Sequence, residues 1–323
     1  MLDVIYGTCK HQISKMHLSS KNRLLAQHPL ASGVLVPGAV LFCSCFLLVA
    51  GQKSTQKEKG AATPPTATLL TRSAARHETH RLGYGGTLTV VGAPQGSIVI
   101  EGWPRSEVDV TAEIQWQAET EADLDRLAAV NSFAFDEDVN HISILTTGTH
   151  DKAFMRRVAR DFPKRLLGLP WKIDYLIRVP VATDLEINAG RGPIKLSSVE
   201  GALRLSATES DAELTFTGGV VSATIAAGKV KVSIPVRSWR GSGAEIRLAS
   251  GDLTIELPAG FNGDIDADIL RSGQIENSCQ ALEPREKSGL TARSIKGRAG
   301  AGGAYFNFTV GDGTLRLKKT SEK

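Results

Sequence analysis

The second half of this chain lacks the residues that most catalytic and metal chemistry needs. All seven histidines (His11, His17, His28, His77, His80, His141, His150) fall in the first half. None stands beside cysteine or carboxylate at the spacing a metal requires, and His77 and His80 fall in a linker-like stretch. Of four cysteines, Cys9 is in the polar N-terminal stretch, Cys43 and Cys45 are in an apolar run, and Cys279 is alone in the second half. A disulfide framework is therefore excluded there, and Cys279 reads as a loop or half-buried residue. Serine never occupies a Gly-x-Ser-x-Gly elbow, since Gly241-Ser242-Gly243 is too short. Gly297–Gly303 lacks the Lys-Ser/Thr ending of a phosphate loop and reads as a flexible turn. No catalytic residue and no cofactor is expected.

A one-signed charge is missing too. The chain carries a formal +4, but residues 1–80 hold nine Lys/Arg against Asp3, Glu58 and Glu78, which is +6 and leaves −2 for residues 81–323. A nucleic-acid binder would show a basic footprint there, so no nucleic-acid partner is expected.

Long apolar runs are absent except for one. Leu30 to Ala50 (LASGVLVPGAVLFCSCFLLVA), with Val40 and Phe46 at its heart, contains no charge. A helix of that length spans roughly 30 Å, the thickness of a bilayer core. The expectation is a single-pass anchor with a cytoplasmic N-terminus. The alternatives are a signal peptide cut near Val49-Ala50-Gly51, with Met16 as the start, or a lipoprotein site at Cys45. Each places the remainder outside the cytoplasm, in the periplasm or at the cell surface. The organisation follows: a basic tail (1–28), the apolar helix (29–51), a Thr/Ala/Lys/Pro-rich disordered linker (52–80), a β-rich part (81–180) and a repeat region (181–319).

What the repeat region does have is a phrase: glycine or serine, any residue, apolar, any residue, apolar. It reads Gly192-Pro193-Ile194-Lys195-Leu196, Ser210-Asp211-Ala212-Glu213-Leu214, Gly228-Lys229-Val230-Lys231-Val232, Gly251-Asp252-Leu253-Thr254-Ile255, Gly273-Gln274-Ile275-Glu276-Asn277 and Gly313-Thr314-Leu315-Arg316-Leu317. The leading residues lie 18, 18, 23, 22 and 40 apart. Period-two alternation inside a period near 20 marks stacked strands, and points to an all-β parallel β-helix or β-solenoid with Gly-led turns of about 18–23 residues. Ile194, Ala212, Val230, Leu253, Ile275 and Leu315 would form an interior column; Lys195, Glu213, Lys231, Thr254, Glu276 and Arg316 would face water.

Gly96-Ser97-Ile98-Val99-Ile100 repeats the phrase upstream, and Glu107–Ile114 alternates as a strand. Two short helices interrupt. Thr120–Val130 opens with Thr120 as cap, Asp123 in a capping-box position and an apolar stripe of Leu124, Leu127 and Ala128. Asp151–Leu167 places Phe154, Val158 and Phe162 on one face for about three turns, with Pro163 as the limit. Its Arg156, Arg157, Arg160, Lys164 and Arg165 read as a solvated face or, alternatively, as a contact for anionic lipid or polysaccharide. Asp264, Asp266 and Asp268 alternate on one strand face. They read as a solvated outer face, with a Ca²⁺ site or a polysaccharide-lyase acid cluster as the alternatives; Lys231 and Arg247 would be the bases of such a lyase.

From about Leu82 to Leu317 the chain resembles the bacterial putative-adhesin domain family, whose function is unknown. The resemblance is carried by Gly96-Ser97-Ile98-Val99-Ile100-Glu101-Gly102-Trp103, Val108-Asp109-Val110, the acidic helix, Val179-Pro180 before Leu185-Glu186-Ile187, and Val199-Glu200-Gly201. It implies a β-helix-like, exported and often membrane-tethered domain. The basic segment and the Gly297–Gly303 stretch depart from it. Together the residues and the resemblance point to a non-catalytic, membrane-tethered envelope protein binding polysaccharide, peptidoglycan or another envelope protein. An envelope-stress sensor and a β-helix polysaccharide-active enzyme are the alternatives.

Overall fold

The computed structural model describes residues 69–279, 282–287 and 289–320. The apolar segment Leu30–Ala50 lies outside them; among the described residues no helix is long and apolar enough to cross a membrane.

The described chain is mostly β. Its seventeen strands form one large sheet that is not closed. In order they are β1 (Leu70–Arg81), β2 (Thr87–Gln95), β3 (Ile98–Trp103), β4 (Glu107–Ala118), β5 (Ser132–Asp138), β6 (His141–Thr147), β7 (Trp171–Pro180), β8 (Asp184–Arg191) and β9 (Ile194–Val199). They continue as β10 (Ala202–Glu209), β11 (Ala212–Phe216), β12 (Gly218–Ser233), β13 (Arg240–Leu257), β14 (Gly263–Asn277), β15 (Leu282–Pro284), β16 (Ser294–Ala299) and β17 (Tyr305–Lys319). Two helices, α1 (Glu121–Val130) and α2 (Lys152–Val158), and a 3₁₀ turn (Lys164–Leu166) complete it.

Parallel, in-register pairing dominates from β8 onward. The long strands β12, β13, β14 and β17 each run through a corner glycine and contribute to two ladders. The first ladder joins β6, β2, β8, β10 and the N-terminal halves of β12, β13, β17 and β14, with β16 antiparallel at its end. The second joins β1, β4, β7, β3, β9, β11 and the C-terminal halves of the same long strands. Alternate side chains of both ladders enter one shared core, except along β1 and the C-terminal half of β14. The column Ile98, Ile194, Ala212, Val230, Leu253, Leu315, Ile275 runs through it, residue against residue. All are buried except Ile275, which is half-buried.

At the corners one backbone lies directly on the next. A β-carbon added to Gly251, at φ +132, would sit 1.9 Å from the Gly228 carbonyl oxygen. Ser210 fills the same role in the row but is absent from the left-handed region, which among the described non-glycine residues only Ser198 enters. Its corner is made by a different backbone path.

Several expectations are corrected. β1 occupies Leu70–Arg81, mostly residues whose composition assigned them to the linker, and pairs antiparallel with β4 throughout. No boundary separates 81–180 from 181–319, because β2 and β3 pair with β8 and β9. Of the Gly297–Gly303 stretch, residues 297–299 end strand β16 and residues 300–303 form the turn, while Gly241–Gly243 lies within β13. The second helix is shorter than three turns. It ends at Val158 because Ala159, at φ −135 and ψ 59, leaves the helical region, well before Pro163. Met155 and Leu166 carry its burial, while Val158 is 41% exposed. The first helix holds as read: Thr120 Oγ1 accepts from the Asp123 amide at 3.2 Å, and Leu124 and Leu127 are buried.

Strand order also departs from chain order. β17 lies between β13 and β14, and β2–β3 lie between β6–β7 and β8–β9. The column of the second ladder does not select this order, because Leu253, Ile275 and Leu315 are near-equivalent there; in the first ladder β17 brings buried Phe306 and Phe308 against Ile265 and Ala267, so packing contributes. The outward charges add to it. Across the second ladder the sign alternates strand by strand: β9 Lys195; β11 Glu213, preceded by Asp211; β12 Lys229 and Lys231; β13 Asp252 and Glu256; β17 Arg316 and Lys318; β14 Glu276. Chain order would set acidic β14 on acidic β13. β17 separates them, and Arg316 reaches Asp252 on one side at 3.3 Å and Glu276 on the other at 2.9 Å. In the first ladder it likewise places neutral Asn307 between Glu245 and Asp266.

A cross-strand charge pair contributes roughly 0.2–1 kcal/mol, and like charges opposed cost a similar amount. Reversing both β17 charges (Arg316→Glu with Lys318→Glu) should therefore lower the thermal midpoint by about 5 °C. The neutral pair Arg316→Gln with Lys318→Gln should lower it by about half as much. Equal midpoints for all three proteins, read by circular dichroism, would show that charge does not bias the order.

Candidate binding groove

A concavity of about 680 Å³ lies on the outer face of the second ladder. It runs across β3, β9, β11, β12, β13 and β17, so its walls are the letters between the apolar ones of the repeated phrase. Parallel register stacks Lys195, Glu213, Lys231, Thr254 and Arg316 in one row. Lys229 and Asp252 pair beside it, as do Glu256 and Lys318 on its other side.

Part of this charge is already matched within the wall. Lys231 Nζ lies 2.9 Å from Glu256, which also accepts from Ser233 Oγ at 3.0 Å. Asp211 accepts from the Lys229 backbone amide at 2.8 Å. Lys195, Lys229 and Lys318 have no ion-pair partner for their ammonium groups among the described residues, and all three are exposed. The groove thus offers donors and acceptors side by side. Sequence reasoning named most of these residues as outward-facing but not as one surface.

The Asp264, Asp266 and Asp268 row lies elsewhere, on the first ladder under β15 and β16. Asp264 accepts from Arg298 Nε at 2.8 Å, and Arg298 holds its carboxyl below the usual range. Asp266 pairs with Arg285 and accepts from the Tyr305 hydroxyl at 2.6 Å. Asp268 accepts from Ser294 Oγ at 2.6 Å. The row is therefore neutralised rather than solvated, because antiparallel β16 and the turn before it bring Arg298 and Arg285 against it. Among the described residues no group of three or more His, Cys, Asp or Glu side chains is placed to hold a metal.

The bases a lyase would need are not with these acids. Lys231 is on the other ladder, and Arg247 pairs with Glu245 at 2.6 Å with β17 between it and Asp268. The Asp266 hydrogen bond raises the Tyr305 hydroxyl above its ordinary value, so it holds its proton. Cys279 is half-buried, and burial raises its thiol, which leaves it a poor nucleophile.

The basic segment divides. Arg156, Arg157, Arg160 and Lys164 are exposed and have no ion pair among the described residues. Arg165 does not belong with them: its guanidinium grips Asp123 with two hydrogen bonds of 2.7 Å. The Asp123 side chain is 2% exposed, and Arg126 adds a contact at 3.2 Å. This pair ties the 3₁₀ turn to α1, across 42 residues that sequence spacing could not connect. His77 and His80, read as linker residues, lie on β1 beside Asp109 and Glu137.

Hydrogen bonding to Arg165 is the main cause that holds Asp123 below the ordinary carboxylate value. A depressed folded value contributes stability above the unfolded pKa, and that contribution is lost as pH falls through the folded one. Arg165→Gln should therefore destabilise the protein at pH 7, and the difference from the parent should shrink steadily as urea midpoints are measured toward pH 3. A gap that stays constant with pH would show that the ion pair is not its source.

No protein-family model matches the chain. No curated protein matches it either. Among solved structures the chain is similar to a putative cell adhesion protein from Clostridium sporogenes, at 14% identity over 76% of this chain and 100% of that one, with a TM-score of 0.39. It is also similar to a putative adhesin from Bacteroides fragilis, at 12% identity over 79% of this chain and 99% of that one, with a TM-score of 0.28.

Proposed function

We propose that this protein is a non-catalytic binding module of the cell envelope. Its β-region is a parallel solenoid that winds once for each Gly-led phrase, and Leu30–Ala50 tethers it with the solenoid outside the cytoplasm. The parallel registers and stacked corner glycines support the winding. The observation that carries the function is the groove: a continuous polar wall built from the outward letters of five repeats, with its charges balanced among themselves. A surface of this kind suits many simultaneous polar contacts along a polymer such as an envelope polysaccharide or peptidoglycan, where modest single contacts add by multivalency. The exposed Arg156, Arg157, Arg160 and Lys164 suit a second, weaker contact with anionic lipid headgroups.

The reading is tested by passing the purified full chain over immobilised peptidoglycan and envelope polysaccharides and following both retention and released products. Retention without release is expected, and Asp266→Ala should change neither. Release of shortened products that disappears in Asp266→Ala would replace the module with an enzyme. Membrane fractionation should leave the chain in the pellet; recovery in the soluble fraction with residues 1–50 removed would replace the tether with a signal peptide.

A further inference from the structure

We infer that the groove takes one extended, uncharged, polyhydroxylated chain, a neutral polysaccharide, lying along the ladder across β3, β9, β11, β12, β13 and β17. This rests on the reading of the protein as a binding module and names the class of polymer it holds.

Size is the first constraint. Six strands about 4.8 Å apart make a groove about 24 Å long, lined by three to five residues along each of β9, β11, β12 and β13. A folded partner cannot follow so narrow a track. A single extended chain can.

Charge is the second. Five cations and four carboxylates line the groove, and their sign changes from each strand to the next. A polyanion laid along the ladder would cross Glu213 and then Asp252, and a polycation would cross Lys195, Lys231 and Arg316. Neither gains from the whole length. A hydroxyl accepts from an ammonium and donates to a carboxylate, so a polyol finds a partner at every strand whatever its sign.

Backbone chemistry is the third. Extended peptides are recognised mainly through main-chain hydrogen bonds at a free sheet edge. Along this groove β9, β11, β12, β13 and β17 each have a neighbour on both sides, so only side chains face the ligand. Lys195, Lys229 and Lys318, exposed and without an ion pair among the described residues, are the ammonium donors left for it.

The test uses the full chain, soluble neutral glucans, mannans and galactans, and a sulfated form of each. At least one neutral polymer should bind with an affinity that changes less than about twofold between roughly 50 and 500 mM NaCl, since no counterions are released. The double variant Lys195→Ala with Lys229→Ala should bind it about fivefold more weakly while melting at the parent temperature. Tighter binding of the sulfated forms with a steep salt dependence would overturn the inference, as would undiminished binding by the double variant. If peptidoglycan is retained but no neutral glycan is, the groove assignment fails and the binding-module reading stands. Retention of none of these polymers overturns both.

Discussion

Backbone stacked on backbone at the glycine corners is the constraint on which the rest of this structure depends. Where Gly251 passes Gly228, no space exists for a β-carbon, and the backbone is held where L side chains rarely go. That contact fixes the pitch between successive passes at the spacing of a β-ladder. Pitch fixes register, since Gly228 pairs with Gly251 and Gly251 with Gly313. Register then places Val230, Leu253 and Leu315 over one another inside and Lys231, Thr254 and Arg316 over one another outside. Core and groove follow from the same corners.

Apolar columns are tolerant of exchange, so a fold built on them needs another source of order. The outward charges supply part of it. Alternating signs match each strand to its neighbours, separate the acidic strands β13 and β14, and admit β17 between them. The same alternation leaves the groove without a dominant sign, so a device that orders strands also shapes what the surface can hold. Each pair contributes little alone; the effect comes from repetition along the ladder.

How much could be read in advance depended on which residues carried the information. Phrase, period, interior column and the capped helix at Thr120 were legible because apolar periodicity records them directly. β1 was not. Its inner side is polar, with Arg76 over the Phe133 ring at 4.2 Å and His80 on the Phe135 ring at 4.1 Å, so hydrophobic alternation has nothing to mark. The position of β17 is invisible to periodicity because Leu315 and Ile275 are interchangeable inside, yet it is written in the signs of Arg316 and Glu276. Arg165 and Asp123 could not be joined from spacing, and the acidic row looked solvent-facing because the strand and turn that bring its partners come 19 to 34 residues later.

The central claim is that β17 lies between β13 and β14, stacked by register rather than by chain order. It is tested most directly by paired cysteines with Cys279 replaced by serine and a thiol cross-linker that bridges only near-contact positions. Thr254→Cys with Arg316→Cys, which the account makes direct neighbours, should cross-link in the folded protein. Thr254→Cys with Glu276→Cys, which it separates by a whole strand, should not. The reverse outcome would contradict the strand order, and with it the charge alternation and the groove.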